Sequence, residues 1–413
     1  VYREDPGLRR LTGLLVGFVG VMEVVLVAGD LLTLLIGWEL VAAFSWALIA
    51  QHWREDQPPQ AALEAFVTVR FGAIGLFIAA GAAFAATGSL TLDGLAAAPG
   101  STLSVVAAGV LLAALAKSAQ VPFSFWLFSA MEGPSPVSAL LHSATMVAAG
   151  AYVLVRLQPV LSSVPWFSQT VTALGLVSAL AGGIVALLQT DFKRALAGST
   201  TAQYGLMLIA VGAASVPGAT AQLIAHAFFK SLLFLAAGLA LAVAGTGDLG
   251  RLRLGRPQRA AAVFAGVGAL ALAGLPPLGG GFSKELVLAA AAGKSAWLGL
   301  GVLLAGFLSA LYTARIYVLS YGPALLSRRS HQTNPGPAMD ADATDAPWVS
   351  GGAADAGQAA GTPAPSGGRG VLTALGFLAV VTVLLGAIGL PAVEHWLERV
   401  SGGRLAPDQT WLV

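Results

Sequence analysis

The chain has no cysteine among its 413 residues. No disulfide can brace it, and it cannot hold a thiolate-ligated iron–sulfur cluster or a c-type haem. Charge is also scarce. Asp, Glu, Lys and Arg together make up 10% of the residues, against about 25% in ordinary soluble domains. So few charges cannot cover the surface of a water-soluble globule. The formal net charge of +2 says little about partners, and no nucleic-acid partner is expected. Met is missing from the start, which is Val1, and no charged segment leads a short apolar core, so no signal peptide is read there. The expectation is a processed chain or a fragment.

What fills the sequence instead is apolar: 56% of the residues are hydrophobic. They fall in runs at 11–29, 31–50, 62–87, 102–121, 136–156, 169–189, 196–216, 220–244, 260–279, 295–320 and 371–390. Each is close to the ~20 residues that cross a hydrocarbon core. A shorter run, 284–292, follows Pro276-Pro277 and Gly279-Gly280-Gly281 and reads as a half-helix. The fold class is therefore all-α, a polytopic transmembrane bundle of about 11–12 spans. Residues 327–370, rich in Gly, Ala, Pro, Asp, Ser and Thr, cannot bury a core and read as a disordered linker. This divides the chain into a transmembrane bundle at 1–326, the linker at 327–370, and a final span with a short interfacial tail at 371–413.

Loop charges orient the bundle. If the spans alternate, one side collects Arg3, Arg9, Arg10, Arg54, Lys193, Arg194, Arg251, Arg253, Arg256, Arg259, Arg328 and Arg329. Arg156 and Lys294 remain for the other. The basic side, and the linker with it, is expected to be cytoplasmic.

Removing the loop charges leaves a set at membrane depth: Glu23, Glu39, Glu64, Arg70, Lys117, His142, His226, Lys230, Lys284, Glu285 and Arg315. Glu23, Glu64 and Arg315 can be snorkelling or interfacial charges. Glu39 lies mid-span in LLTLLIGWELVAAFSW, too deep to snorkel, and needs a partner. Lys117 is the natural candidate. It sits deep in an apolar run, with Pro122 breaking the helix five residues later. A lysine out of water holds its proton less firmly, and a nearby carboxylate strengthens the hold. A lysine beside a movable glutamate can therefore load and release a proton. His142 can pass a proton on with little driving force. His226 and Lys230, spaced i, i+4, share one helix face, and Lys284 follows the second break. Ionisable groups inside spans mark an ion or proton path; the blander reading is a set of polar groups that hold helices together.

Two motifs carry no chemistry. GTGDLG at 245–250 fits G-x-G-x-x-G but follows a span, with no strand before it or helix opening on it, so it reads as a turn. The five histidines show no metal-ligand spacing, and no metal site is expected.

The stretches GWELVAAFSWALI, AKSAQVPFSFWLFSAMEGPSPVSALLHSATMVAAGAYVLVR, QTDFKRALAGSTTAQYGLM, HAFFKSLLFLAAG, GLPPLGGGFSKE and LSALYTARIYVL cover nearly all of 1–325. Through them the chain resembles the antiporter-like large membrane subunits of respiratory complex I, most closely the subunit L or chain 5 type. The same superfamily includes large subunits of Mrp-type sodium/proton antiporters and membrane subunits of energy-converting hydrogenases. The resemblance implies two inverted five-helix repeats, each with one broken helix. It implies that Glu39, Lys117, His142, His226, Lys230 and Lys284 form a proton relay, with Arg70 as a candidate charge partner. Ala73 stands where the family usually has Asp, and Gln222 where a second histidine is common. About three helices usually precede Tyr2, and a lateral helix usually follows Gly402, so the chain looks truncated at both ends.

The implied function is proton translocation in an NADH:quinone oxidoreductase, in a bacterial-type inner membrane. This chain would bind no cofactor; NADH, flavin, Fe–S clusters and quinone would belong to partner subunits. The alternatives are a subunit of a multisubunit Na+/H+ antiporter, a membrane subunit of a hydrogenase or inorganic-carbon uptake complex, or a proton-inactive scaffold.

Overall fold

The computed structural model describes residues 7–322 and 369–389, together with Val393, Trp396 and Arg399. The linker expected at 327–370 lies outside the described residues except at its last two positions, as does most of the tail. The elements are helices α1 (Leu8–Val27), α2 (Leu31–Ile49), α3 (Gln57–Thr87), α4 (Gly100–Lys117), α5 (Phe125–Ser129), α6 (Ser135–Leu141), α7 (Met146–Leu161), α8 (Phe167–Leu188), α9 (Phe192–Gly212), α10 (Val216–Ala244), α11 (Arg259–Ala273), α12 (Gly279–Lys294), α13 (Ala296–Tyr321) and α14 (Arg369–Leu384). Among the described residues there is no strand, only two isolated bridges. Among the described residues, nine helical segments are long and apolar enough to cross a membrane. Large apolar side chains such as Val67, Phe71, Ile74, Phe77 and Ile78 stay exposed on their outer faces. A bilayer, not water, suits such a surface.

Two sequence expectations change here. The span expected at 196–216 exists as α9, but apolarity is not what makes it. It carries Ser199, Thr200, Thr201 and Gln203, and every residue except Arg194 is buried among other helices. The span expected at 136–156 is not continuous. It is interrupted at His142–Thr145, between α6 and α7.

The two expected helix breaks share one construction. Leaving α4, Ala119 takes a left-handed φ of 50°. Its N–H donates to Ala116 O, and that of Gln120 to Leu115 O. After α11, Gly274 has φ 91°, with its N–H on Ala271 O and that of Leu275 on Leu270 O. Both are Schellman ends, and each is followed three residues on by a proline, Pro122 or Pro277, that cannot continue a helix. The sequence placed Gly279–Gly281 in the second break; they form the first turn of α12 instead.

The same correspondence runs through the neighbouring elements. Asp30 caps α2 through Thr33 N–H, and Asp191 caps α9 through Arg194 N–H. Gly88 ends α3 and Gly245 ends α10, both at φ 68°. Asp30 bridges Thr91, and Asp191 bridges Asp248. On the last helix of each set, an arginine reaches the carbonyl end of the first. Arg156 of α7 donates to Leu26 O at 3.3 Å, and Arg315 of α13 to Gln189 O at 2.6 Å. The crossings α1, α2, α3, α4–α5 and α6–α7 thus match α8, α9, α10, α11–α12 and α13. Five crossings per repeat is an odd number, so the second repeat enters from the opposite face and the repeats are inverted. Asymmetry enters at His142–Thr145, because α13 runs through the matching level unbroken.

Arg10 at the start of α1 and the segments 51–55, 131–135, 191–194 and 248 meet at one end of the bundle. This is the end that the loop charges made basic. The GTGDLG stretch is the turn after α10, as expected.

Candidate functional site: a buried row of lysines and histidines

The first break ends α4 at Lys117, which is fully buried. A helix carboxyl end favours a cation. The ammonium donates to Trp38 O of α2 at 2.6 Å and stands 4.4 Å over the Trp38 ring. The expected Glu39–Lys117 ion pair is not formed. Glu39 pairs with Arg70 of α3 instead. Successive helical residues point about 100° apart, so Trp38 faces α4 while Glu39 turns toward α3. Glu39 Oε1 is buried without a hydrogen-bond partner. Ala73 is buried one turn beyond Arg70, so α3 offers Arg70 no second carboxylate there.

Beyond Lys117 the row passes the break. Trp126 Nε1 donates to Ala116 O at 2.9 Å, a carbonyl that also accepts from Ala119 N–H, and its ring lies 6.0 Å from that of His142. His142 is fully buried, and neither ring nitrogen has a hydrogen-bond partner. Ser138 Oγ, one turn earlier on α6, is unpartnered as well. Ser135, one turn before that, lines a cavity of about 470 Å³ at the basic end, with His52, Glu132, Asp191 and Lys193. Buried polar atoms without partners are where ordered water is expected.

The interruption after α6 exposes Ser143 O to the second repeat. His226 Nδ1 lies 2.9 Å from it, and Tyr204 OH donates to it at 3.3 Å. One turn along α10, Lys230 is fully buried and donates to Leu196 O at 2.7 Å and Ser199 Oγ at 2.5 Å. Lys284 of α12 closes the row. It donates to the freed Leu272 O at 2.5 Å and to Ser309 Oγ at 2.6 Å. Both breaks are thus read by side chains, and no ion pair serves Lys117, Lys230 or Lys284 among the described residues.

The remaining charges settle differently. Glu64 accepts from Ser129 Oγ at 2.7 Å, while Glu23 and Glu285 are exposed. Sequence reasoning missed Lys193, counted with the loops. It is 8% exposed, and its ammonium donates to Met131 O and Gly133 O. Nothing in QTDFKR says which of two adjacent cations turns inward. Also missed is a polar cluster around Gln203, Gln222 and Tyr312. No group of three or more His, Cys, Asp or Glu able to hold a metal occurs among the described residues.

Residues 28–310 match the family model for the transmembrane NADH:quinone oxidoreductase/Mrp antiporter proteins. The NADH-quinone oxidoreductase subunit L of Mycobacterium tuberculosis is 38% identical over 332 residues, which is 77% of this chain and 52% of that one. The NADH-ubiquinone oxidoreductase chain 5 of Geomys personatus is 35% identical over 329 residues, 78% of this chain and 54% of that one. The solved Mrp complex from a Dietzia species aligns with a TM-score of 0.78 at 27% identity, over 95% of this chain and 41% of the matched chain. The chain spans about half the length of the curated relatives it matches.

Proposed function

The chain belongs to the NADH:quinone oxidoreductase/Mrp antiporter transmembrane family, and from that premise we propose that it is a proton-translocating membrane subunit of an NADH:quinone oxidoreductase. The observation that carries this reading is the row Lys117, His142, His226, Lys230 and Lys284. Its members are set within one apolar bundle; His142 has no hydrogen-bond partner, and the other four are held by carbonyls and hydroxyls rather than by carboxylates. Each lysine can be charged or neutral, and an imidazole at His142 or His226 can take a proton on one nitrogen and release it from the other. Glu39, paired with Arg70 near Lys117, is the charge whose movement would load or unload the first lysine.

In this reading the chain does no redox chemistry. Partner subunits hold the nicotinamide, flavin, iron–sulfur and quinone sites, and their electron transfer drives the relay electrostatically. Each charge moved against 100 mV requires about 2.3 kcal/mol from that source. The membrane is a bacterial-type inner membrane, with the basic end of the bundle in the cytoplasm. Proton uptake by inverted vesicles carrying the assembled complex tests the function. Lys117→Ala is expected to lower uptake per NADH oxidised severalfold, and undiminished uptake would sink the relay.

One observation favours a second reading. The match to the Mrp complex extends over nearly the whole chain, which suits a subunit of a cation/proton antiporter that works without electron transfer. Sodium-dependent pH changes in vesicles given no NADH would select it.

A further inference from the structure

Gln222 and Gln203 face each other in the interior of the second repeat. Gln222 Nε2 donates to Gln203 Oε1 at 2.8 Å. Gln203 Nε2 donates to Tyr312 OH at 2.8 Å, and Tyr312 OH lies 3.2 Å from Ser309 Oγ. On the other flank, Ser283 Oγ donates to Gln222 Oε1 at 2.6 Å. All five residues are at most 1% exposed, and they come from α9, α10, α12 and α13. The chain of donors runs one way, from Ser283 through the two carboxamides and Tyr312 to Ser309, whose own hydroxyl points to Leu272 O at 2.7 Å. Ser309 Oγ therefore turns its lone pairs toward Tyr312 and the Lys284 ammonium.

We propose that Gln203 and Gln222 are positioning residues for Lys284: they hold Ser309, through Tyr312, as the hydroxyl acceptor on which the ammonium docks, and hold α12 in register through Ser283, the neighbour of Lys284. The proposal rests on the relay reading of Lys284. Its physical basis is that each carboxamide is bonded on both its oxygen and its nitrogen. Leaving such a buried group unpaired is costly, so the four helices are pinned in one arrangement around the second break. A carboxamide does not titrate, so the pin stays in place while the lysine beside it changes charge. Only a side chain with one acceptor and one donor at a similar reach can replace Gln222; a neutral imidazole has both.

The test measures proton uptake per NADH oxidised in inverted vesicles containing the assembled complex. The variants are Gln222→Leu, Gln222→His and Tyr312→Phe, beside Lys284→Ala, with membrane incorporation quantified for each. Gln222→Leu keeps the bulk but strands Ser283 and Gln203, and is expected to lower uptake about tenfold. Gln222→His should restore it to within about twofold of the parent, since both hydrogen bonds can re-form. Tyr312→Phe deletes a single hydroxyl, and a loss of about threefold is expected; it decides the matter if Gln222→Leu does not assemble. Parent-level uptake in both Gln222→Leu and Tyr312→Phe, with Lys284→Ala inactive, overturns the proposal and leaves the relay standing. A Gln222→His variant no better than Gln222→Leu also overturns it, because shape and not hydrogen bonding would then be what position 222 supplies. Parent-level uptake in Lys284→Ala overturns the relay reading, and this proposal falls with it.

Discussion

Trp38 and Glu39 are neighbours on α2 and serve different cations, the first through its carbonyl and ring, the second through its carboxylate. This splits the roles. Arg70 neutralises Glu39, and Lys117 is left with acceptors that do not fix its charge state. Removing Arg70 would leave the carboxylate unpaired at membrane depth. At that depth lipid rather than water surrounds the pair, so the cost of Arg70→Ala is expected to be about 3 kcal/mol. It should appear as a lower thermal midpoint that Glu39→Gln in the same chain largely restores. The members of the site were legible in the sequence because a charge inside an apolar run stands out. The Glu39–Arg70 pairing was not, since it depends on which of two adjacent α2 residues faces α4. Lys193 escaped for the opposite reason: its position at a helix start looks like any loop cation, and only the carbonyls of Met131 and Gly133 make it an interior group.

Helix ends do much of the positioning. Asp30 caps α2 and its carboxyl is held below the usual 3.8 by the Thr33 N–H and hydroxyl. A group depressed in this way stabilises the fold above its unfolded value, and that contribution is lost as pH falls through the folded one. Asp30→Ala should therefore cost about 1 kcal/mol near neutrality, and the gap between variant and parent thermal midpoints in detergent should close in acid. Between helices, small residues set the approach. A Cβ on Gly75 of α3 would meet the Gly109 carbonyl of α4, and one on Gly109 would meet that of Gly75. Gly109→Val is expected to cost about 1–3 kcal/mol. Gly81→Val, on the same α3 but with open space around it, should leave the midpoint unchanged. The breaks at Pro122 and Pro277 were legible because proline and glycine punctuate an apolar run. The interruption at His142–Thr145 was not, because SALLHSATMVAA carries no such residue and its freed Ser143 carbonyl is bonded by α10, a partner distant in sequence.

At the scale of the molecule, two inverted repeats meet along the α6–α7 interruption, where Ser143 O joins the first repeat to His226 and Tyr204 of the second. The number of crossings and the basic end could be read from apolar runs and loop charges. The inversion came only from a family resemblance, since matching residues such as Asp30 with Asp191, or Ala119 with Gly274, share backbone roles rather than side chains. The interior place of α9 was hidden as well, because a helix covered on every side needs no lipid-facing stripe. On the proposed relay, protons cross from one repeat to the other through Lys230, the fully buried lysine one turn from His226. Proton uptake by inverted vesicles carrying a correctly incorporated Lys230→Ala complex tests it most directly. Uptake should fall at least about tenfold, as expected for the loss of a charge-bearing site inside the membrane. Uptake equal to the parent's would contradict it.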